Sequence, residues 1–484
     1  MIFNSLTFLG FLTLVVIFYW FLPSQKLRIL LIFFSSLTFY GFWRIEFIPV
    51  MLLSVVLDYF ICLRLEKTSL EQARKKLVAL SLIGNLGLLF YFKYLIFFSN
   101  TAIGFASLIG IELDPIALKI ILPLGISFYT FQTISYTVDV YRRVIQAERN
   151  FLLYASYVTF FPQLVAGPIL RGREVMHQLR EKLVFESSDL AWGLRRVFFG
   201  LFLKVILADN LGPLVDSGFA IPISQMSAID VWTLSFLFGF QIYFDFSAYS
   251  HIAIGSARML GIRFPENFNF PYAASSPKDF WKRWHISLSS WIRDYLYLPL
   301  AGISLQQGGN SEGGLVSAIT QTTKDKALIA TWAIMGLWHG ANWTFVVWGL
   351  YHAMWVFAYR IFSQKRDDFN FTIPAFIGIV ITLPIMMLGW IPFRAPDLET
   401  TFLMWFKVLD ISAYGSLGMR ENAYLIAFLL VIMQFLSKRI YTFSQQYLRG
   451  RSIALPLEFL LLIIIIPFVL IYLRPITQFI YFQF

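Results

Sequence analysis

The chain has 484 residues, of which 58% are hydrophobic and only 14% charged, a balance that excludes an ordinary soluble domain. Its single cysteine, Cys62, excludes an internal disulfide and any metal site built from cysteines. The net charge of +11 indicates cytoplasmic loops rather than nucleic-acid binding, because lysine and arginine mark the inner loops of membrane proteins. The apolar runs are continuous rather than alternating, so we predict an integral membrane protein built from helices.

The topology follows from placing the basic clusters on the cytoplasmic side. We predict spans near residues 5–23, 29–43, 47–63, 77–97, 117–140, 193–209, 230–248, 372–392, 421–437 and 453–473. The first lacks a charged leader and a cleavage site before Lys26, so we expect it to be retained rather than removed as a signal peptide. We predict about 10–12 crossings in total, in addition to re-entrant and interfacial helices, with both termini outside.

Residues 151–171, FLLYASYVTFFPQLVAGPILR, break this pattern because basic residues flank both ends. A single crossing would leave one of those ends on the wrong side. Pro162, Gly167 and Pro168 interrupt the helix. The segment is therefore predicted to be a re-entrant hairpin that returns to the cytoplasm.

A helix start is predicted at Ser276, which is a good N-cap and is followed by Pro277 at the first helical position and by Asp279. The aromatic spacing that follows predicts a basic amphipathic helix over residues 276–295 at the cytoplasmic interface. His285 falls at the edge of its apolar face, where an interfacial side chain is the simplest interpretation. The basic face suits lipid headgroups or the phosphates of an anionic cofactor equally well.

The stretch MGLWHGANW, residues 335–343, carries a histidine inside an apolar segment whose two ends are both basic. Its first arm, residues 327–338, would span about 18 Å as a helix, too short for a core of roughly 30 Å. We therefore predict that His339 lies within the membrane at the broken apex of a hairpin. A catalytic histidine and a core histidine bonded to a carbonyl both fit this position.

The remaining histidines, His177, His251 and His352, are interpreted as structural. Asp245 is a further ionisable residue at membrane depth, and we expect it to pair with an arginine or histidine in the bundle.

Several motifs occur in a specific order and together resemble the membrane-bound O-acyltransferase family, in its bacterial alginate and peptidoglycan O-acetyltransferase branch. They are PLGISFYTFQTISYTVDVYR (123–142), FFPQLVAGPILR (160–171), FDFSAYSHIAIGSARMLGIRFPENFNFPY (244–272), DFWKRWHISLSSWIRDYLYLPL (279–300), GLWHGANWTFVVWG (336–349) and GWIPFRA (389–395). The branch also includes the membrane component of teichoic acid D-alanylation. The resemblance implies an all-α polytopic fold with a tunnel across the bacterial inner membrane. It also implies one domain over residues 1–484, whose motif-bearing core, 116–395, lies between amino-terminal spans (1–115) and carboxyl-terminal spans with an outward-facing tail (396–484).

The resemblance also implies an activity, in which an acetyl group passes from a cytoplasmic thioester to an acceptor on the far side. The family's intramembrane histidine corresponds to His339 and its second polar position to His285. Acetyl-coenzyme A is the expected donor and an acylated carrier protein the alternative, with no metal required. A separate periplasmic transferase of the SGNH hydrolase type is the expected protein partner. The candidate donor-binding cations are Lys282, Arg283 and Arg293.

The chemistry of ester formation agrees with this assignment. A base near the operating pH must take the hydroxyl proton, and neutral imidazole suits that role. The developing oxyanion needs donors, for which Asn342, Trp338 or a backbone N–H at the broken helix are candidates. One departure concerns the loop AGISLQQGGNSEGG (301–314). Members of the family carry a short basic GGN loop there, whereas this chain has Ser311 and Glu312, so we carry over no donor contact from that loop.

The sequence TQFIYFQF, residues 477–484, follows the last predicted span on the outer side. An aromatic belt at the interface would explain its composition. It also resembles the terminal motif of the small peptide that accompanies the D-alanylation relative, whose tyrosine is thought to carry the acyl group. Tyr481 is therefore a candidate acyl acceptor, and both interpretations stay open.

Three other functions remain possible from the sequence. D-alanyl or other acyl transfer from a carrier protein to a cell-wall polymer would use the same site. A transporter or flippase would account for broken helices and polar midplane residues, but we find no inverted repeat. A glycosyltransferase would need an acidic D-x-D pair, whereas Asp367 and Asp368 are adjacent in a short loop.

Overall fold

The computed structural model describes residues 1–115, 117–303, 321–368, 372–443, 446, 454–473 and 479–480, with side chains of the last helix described from Ile463 onward. Its secondary structure within these ranges is entirely helical. Among the described residues, six segments are long and apolar enough to cross a membrane: Ile45–Lys67, Glu71–Leu108, Ser187–Phe219, Trp343–Asp368, Ala375–Arg394 and Glu421–Phe443. The all-α polytopic fold class is confirmed, while the total of about 10–12 crossings stays a prediction.

The helices in chain order are α1 (Leu6–Phe21), α2 (Gln25–Gly41), α3 (Ile48–Lys67), α4 (Glu71–Leu89), α5 (Leu95–Leu108), α6 (Ile126–Tyr141), α7 (Phe151–Thr159), α8 (Gly172–Arg180), α9 (Ser187–Phe202), α10 (Asp209–Phe219), α11 (Ala228–Met259), α12 (Pro277–Trp281), α13 (Ile286–Ile292), α14 (Leu298–Leu300), α15 (Gln321–His339), α16 (Trp343–Asp368), α17 (Ala375–Leu388), α18 (Ile391–Arg394), α19 (Leu398–Leu409), α20 (Glu421–Phe443) and α21 (Ala454–Tyr472). Turns of π-helix, Phe90–Tyr94 and Leu203–Ala208, join α4 to α5 and α9 to α10. These joined helices form two of the six candidate spans.

Contacts along the chain define two compact units, each assembled from separate segments. Unit 1 comprises Met1–Leu194, Ala253–Pro265 and Arg293–Thr320, and unit 2 comprises Arg195–Ile252, Glu266–Ile292 and Gln321–Phe484. The single membrane domain expected from the sequence stays a prediction.

In unit 1 the predicted break within residues 151–171 is confirmed. Helix α7 has only nine residues, about 14 Å at helical rise, and every residue from 160 to 170 is non-helical and buried. Irregular backbone of this kind is what a re-entrant segment requires, since its polar groups must be satisfied inside the protein. Its depth in the bilayer stays a prediction.

The predicted span at 117–140 starts too early, because α6 begins only at Ile126. Gly125 before it adopts φ +73, in the left-handed region. A side-chain carbon at Gly125 would lie 2.4 Å from the Leu164 carbonyl oxygen, so the irregular segment 160–170 packs directly on this backbone. Pro123 and Gly125 therefore delay the helix start.

Candidate functional site in unit 2

The histidine motif forms the predicted helical hairpin in unit 2. Helix α15 ends at His339 and α16 begins at Trp343. Glycines let the two arms touch, since a side-chain carbon at Gly336 would lie 2.1 Å from the Phe345 carbonyl oxygen. The first arm is longer than predicted, at 19 residues or about 28 Å. The predicted 12-residue arm is therefore wrong, and its length no longer argues that His339 lies within the membrane, so that depth stays a prediction. The break itself falls at the predicted position.

The His339 imidazole is enclosed by three aromatic rings that meet it at steep angles. Its centroid lies 4.9 Å from that of Trp338, 4.8 Å from Trp348 and 5.3 Å from Phe393. The residue is only 6% exposed. An aromatic enclosure excludes bulk water, and electrostatic interactions are stronger in such a site.

The predicted interfacial helix over 276–295 is not one helix. The Ser276 hydroxyl caps α12 as expected, accepting from the Asp279 amide at 3.1 Å. The helix ends at Trp281, and His285 adopts φ +42 before α13 begins. A non-glycine residue in this region costs about 1–2 kcal/mol, so surrounding contacts must hold His285 in place.

Asn267 supplies those contacts, and sequence reasoning missed it. Its carbonyl oxygen accepts from the Ile286 amide at 3.0 Å, and its side-chain oxygen accepts from the Ser287 amide at 3.2 Å. Its amide nitrogen donates to the Ser250 hydroxyl on α11 at 3.1 Å. The first amides of α13 are thereby satisfied, and the chain turns at His285. The only signal was an asparagine within the FPENFNFPY motif.

The structure brings His285, His339 and Trp338 together. The His285 and Trp338 ring centroids are 6.3 Å apart, and Trp338 also contacts His339. Phe246 of α11 meets the other side of His285 at 4.6 Å. His285 lies outside the six candidate spans, and burial lowers its pKa to about 3, so the ring is uncharged at neutral pH.

Several buried polar atoms near His285 and His339 lack a hydrogen-bond partner in the described part of the chain. Both ring nitrogens of His285 and the indole N–H groups of Trp281, Trp348 and Trp390 find no hydrogen-bond partner among the residues that the structure describes. His352, interpreted from sequence as structural, belongs to the same aromatic cluster, with its ring 5.0 Å from Trp348. Buried donors and acceptors without partners are rare in folded proteins, so the two ring nitrogens of His285 are candidate partners for a polar ligand.

Asn342 acts as a helix cap in this structure. Its side-chain oxygen accepts from the Thr344 amide at 3.0 Å, at the start of α16, and its nitrogen lies 3.5 Å from the Pro396 carbonyl oxygen. The cap fixes the entry into α16 directly after the His339 turn. A role at the oxyanion stays a prediction for both Asn342 and Trp338.

The candidate donor-binding cations have different surroundings. Lys282 is exposed, and Arg283 forms an ion pair with Asp279 at 2.8 Å; both belong to unit 2. Arg293 belongs to unit 1, where it pairs with Asp294 at 2.6 Å. Although burial raises the pKa of Asp294, hydrogen bonds from Arg293 and Arg171 lower it overall.

Unit 1 also contains a basic cavity that sequence reasoning missed. Its volume is about 570 Å³, and its lining includes Arg149, Arg173, His177 and Arg180. The buried carboxylate of Glu148 orients Arg180 through a contact of 2.7 Å. The GGN loop at residues 308–310, with Ser311 and Glu312, lies outside the described residues, as does Tyr481.

Two further sequence interpretations can be compared with the structure. His251 has a structural partner, since its Nδ1 accepts from the Arg196 guanidinium at 2.5 Å. Asp245 pairs with Lys204 rather than with an arginine or histidine, so that expectation is wrong. Among the described residues no group of three or more histidine, cysteine or acidic side chains could hold a metal ion.

Replacement of His285 by glycine tests whether activity depends on the imidazole ring or only on the backbone turn at this position. Glycine adopts φ +42 without strain, which offsets part of the stability lost with the buried ring, so the protein should remain folded with a modestly lower midpoint of thermal unfolding. We expect the activity that the family resemblance implies to fall roughly 10- to 100-fold, because the ring that packs against Trp338 is lost. Full activity in His285→Gly would show that only the turn matters. His285→Asn is a second variant for the same comparison, because asparagine also adopts a left-handed backbone and lacks the imidazole ring.

Comparison with known proteins identifies the family. The sequence profile described as the membrane-bound O-acyltransferase family matches residues 142–392, a region that includes both His285 and His339. The chain belongs to the membrane-bound O-acyltransferase family. It is therefore a multi-pass membrane acyltransferase, and the alternatives of a non-catalytic transporter and a glycosyltransferase are excluded.

Within the family, the chain is similar to O-acetyltransferases and to a D-alanyltransferase. The chain is 38% identical over 406 residues to a probable alginate O-acetylase of Azotobacter vinelandii, covering 84% of this chain and 77% of the relative. It is 36% identical over 392 residues to a peptidoglycan O-acetyltransferase of Helicobacter pylori, covering 76% and 71% respectively. A teichoic acid D-alanyltransferase of Bacillus subtilis is 27% identical over 277 residues, or 55% of this chain and 67% of the relative.

Proposed function

We propose that this acyltransferase moves an acetyl group from acetyl-coenzyme A, on the cytoplasmic side of the bacterial inner membrane, to an acceptor on the other side. The final product is an O-acetylated exported or cell-surface polysaccharide, since relatives are named for alginate and for peptidoglycan. The single observation that carries the proposal is the contact of His285 and His339 with the same Trp338 ring, within the region that matches the family.

His339 acts as the general base in this mechanism. Its neutral imidazole takes the proton of an acceptor hydroxyl while the hydroxyl oxygen attacks the thioester carbonyl. The indole N–H of Trp338, the side-chain nitrogen of Asn342 or a backbone amide at the hairpin break stabilises the oxyanion. The C–S bond then breaks as the C–O ester forms, and the imidazolium returns its proton to the thiolate. His285 positions the reacting groups through Trp338.

The acceptor in the first transfer is the phenol of Tyr481. Its proton passes to His339, and the acetyl group forms an aryl ester, which is a high-energy donor for a second transfer. A periplasmic transferase of the SGNH type then moves the acetyl group to the polysaccharide. Support comes from the neighbouring residues Phe479 and Ile480, which are 1% and 7% exposed and therefore packed inside unit 2 rather than in an aromatic belt.

The alternative is transfer of D-alanine or another acyl group from a carrier protein to a cell-wall polymer. It is supported by the likeness to the teichoic acid D-alanyltransferase, whose alignment is shorter and less identical than those of the O-acetyltransferases. The same histidine chemistry would operate, and only the donor and final acceptor would differ.

Binding and slow hydrolysis of acetyl-coenzyme A by the purified protein test the donor assignment. We expect saturable binding, and a several-fold weaker affinity in Lys282→Ala, because this exposed lysine is a candidate partner for the donor phosphates. Arg149→Ala, in the basic cavity of unit 1, is the matched charge-loss variant and should bind the donor normally. Hydrolysis of an acylated carrier protein, with no response to acetyl-coenzyme A, would reject the proposed donor.

A further inference from the structure

A buried ion pair in unit 2 holds the tail residues Phe479 and Ile480. Lys204 and Asp245 are each 1–2% exposed, and the lysine ammonium lies 2.5 Å from the Asp245 Oδ1 atom. The other oxygen of Asp245, Oδ2, accepts from the backbone amide of Ile480 at 2.8 Å. One carboxylate thus binds a cation with one oxygen and the tail with the other.

Aromatic contacts reinforce this bond. The Lys204 ammonium lies 4.5 Å from the centroid of the Phe479 ring, within range of a cation–π interaction. The same ring meets Tyr249 edge to face at 4.9 Å. Phe479 is 1% exposed, so it is buried as completely as a core residue. We call Lys204, Asp245 and Tyr249 the tail dock.

Lys204 has two carboxylate partners, Asp209 and Asp245, although one would neutralise its charge. Lys204 also binds Asp209 at 2.8 Å, so the buried ammonium has a counter-ion without Asp245. A second buried carboxylate is costly unless further hydrogen bonds satisfy it. The Ile480 amide is such a bond, and an amide hydrogen bond to a charged acceptor is stronger than one to a neutral acceptor. The arrangement is therefore matched to the tail rather than to the lysine.

Two of the three dock residues, Asp245 and Tyr249, lie on a stretch of α11 that also supports the histidine site. Asp245 and Tyr249 are four residues apart and lie on one helical face. Phe246 and Ser250, one residue further along, contact the His285 ring at 4.6 Å and the Asn267 side chain at 3.1 Å. The residues of this stretch are buried, so the tail and His285 contact the same buried segment of α11.

We propose that the Lys204–Asp245 pair is a docking site for the carboxyl-terminal segment and positions the residue after Ile480 for acyl transfer. This inference rests on the proposed function for Tyr481. Asp245 and Lys204 are positioning residues, since they bind the tail backbone and ring and take no part in bond making.

The test uses an introduced thiol at position 480 as a reporter of docking. Ile480→Cys keeps the backbone amide, and Cys62→Ser removes the single native thiol. In this background Asp245→Asn places an amide donor against either the lysine or the backbone N–H of position 480, and Lys204 keeps Asp209 as its counter-ion. We expect labelling of the introduced thiol by a small maleimide to be about tenfold faster, the effect of losing one hydrogen bond to a charged group.

Asp230→Asn is the matched control. Asp230 is also a buried aspartate on α11 that binds a remote backbone amide, that of Gly418 at 3.1 Å, but it has no contact with the tail among the described residues. It should leave labelling at position 480 unchanged. Glycan acetylation should fall in Asp245→Asn and persist in Asp230→Asn, measured per folded protein in otherwise native chains.

The outcomes separate the dock from the proposed function. Unchanged labelling in Asp245→Asn overturns the dock. Faster labelling with normal glycan acetylation overturns the positioning role. If Tyr481→Phe acetylates glycan normally, the carrier role fails, but the labelling experiment still decides whether Asp245 holds the tail.

Discussion

Replacing His339 with alanine is expected to lower acetyl transfer by about 10²–10⁴-fold, the usual contribution of a general base. The substitution leaves Trp338, Trp348 and Phe393 in place around a small cavity, so the protein should remain folded and membrane-inserted. The measurement is acetyl ester on the cell-surface polysaccharide, normalised to the amount of monodisperse protein extracted from the membrane.

His352→Ala is the matched control for this variant. His352 is equally buried, at 0% exposure against 6% for His339, and it packs on the same Trp348 ring. Both variants lose an imidazole from one aromatic cluster, so a comparable loss of thermal stability is expected. Only His339→Ala should lose catalysis. Equal loss of activity in the two variants would assign His339 a packing role.

Replacing Tyr481 with phenylalanine is expected to abolish glycan acetylation, because the variant lacks only the hydroxyl that is proposed to carry the acetyl group. The contacts of Phe479 and Ile480 with the tail dock do not involve this hydroxyl, so docking should persist. The measurement is again acetyl ester on the polysaccharide, together with maleimide labelling at position 480 to show that the tail is bound.

Tyr472→Phe is the control for Tyr481→Phe, because it also removes one phenol hydroxyl from the carboxyl-terminal region. Tyr472 is 41% exposed at the end of α21 and stacks on Phe468, so its ring and not its hydroxyl makes the contact. This variant should acetylate glycan at the wild-type level. Normal acetylation in Tyr481→Phe would leave Tyr481 as a hydrophobic anchor and require direct transfer from His339.

The hairpin at His339 was predictable because its determinants are local. Glycines on both sides of the histidine allow close packing, Asn342 is a good helix cap, and basic residues flank the segment. Helix length was not predictable from the apolar stretch alone. Polar residues such as Thr323 belong to α15, and they were excluded when hydropathy defined the arm.

The turn at His285 depends on contacts that are distant in sequence. A single continuous pattern of aromatic residues predicts one helix through this region. The actual break is imposed by Asn267, which lies 18 residues earlier and satisfies the first amides of α13 in place of the preceding helix. Tertiary hydrogen bonds of this kind override local helix propensity, and no local signal reveals them.

The partners of Asp245 could also not be predicted, because they are distant in sequence. Sequence reasoning predicted that this aspartate must be paired, because an isolated charge at membrane depth is costly. It could not identify Lys204, 41 residues earlier, as the partner, nor the backbone amide of Ile480, 235 residues later. A lone lysine within the apolar segment GLFLKVILA was the available clue.

Transfer of labelled acetyl from acetyl-coenzyme A to polysaccharide tests the role of His339 most directly. Membranes that contain the polysaccharide and its partner proteins are prepared with equal amounts of folded wild-type or His339→Ala protein, and the donor is supplied on the cytoplasmic side. We predict label in the polysaccharide with the wild-type protein and only background label with the variant. Label above a few per cent of the wild-type level with His339→Ala would contradict general-base catalysis by His339.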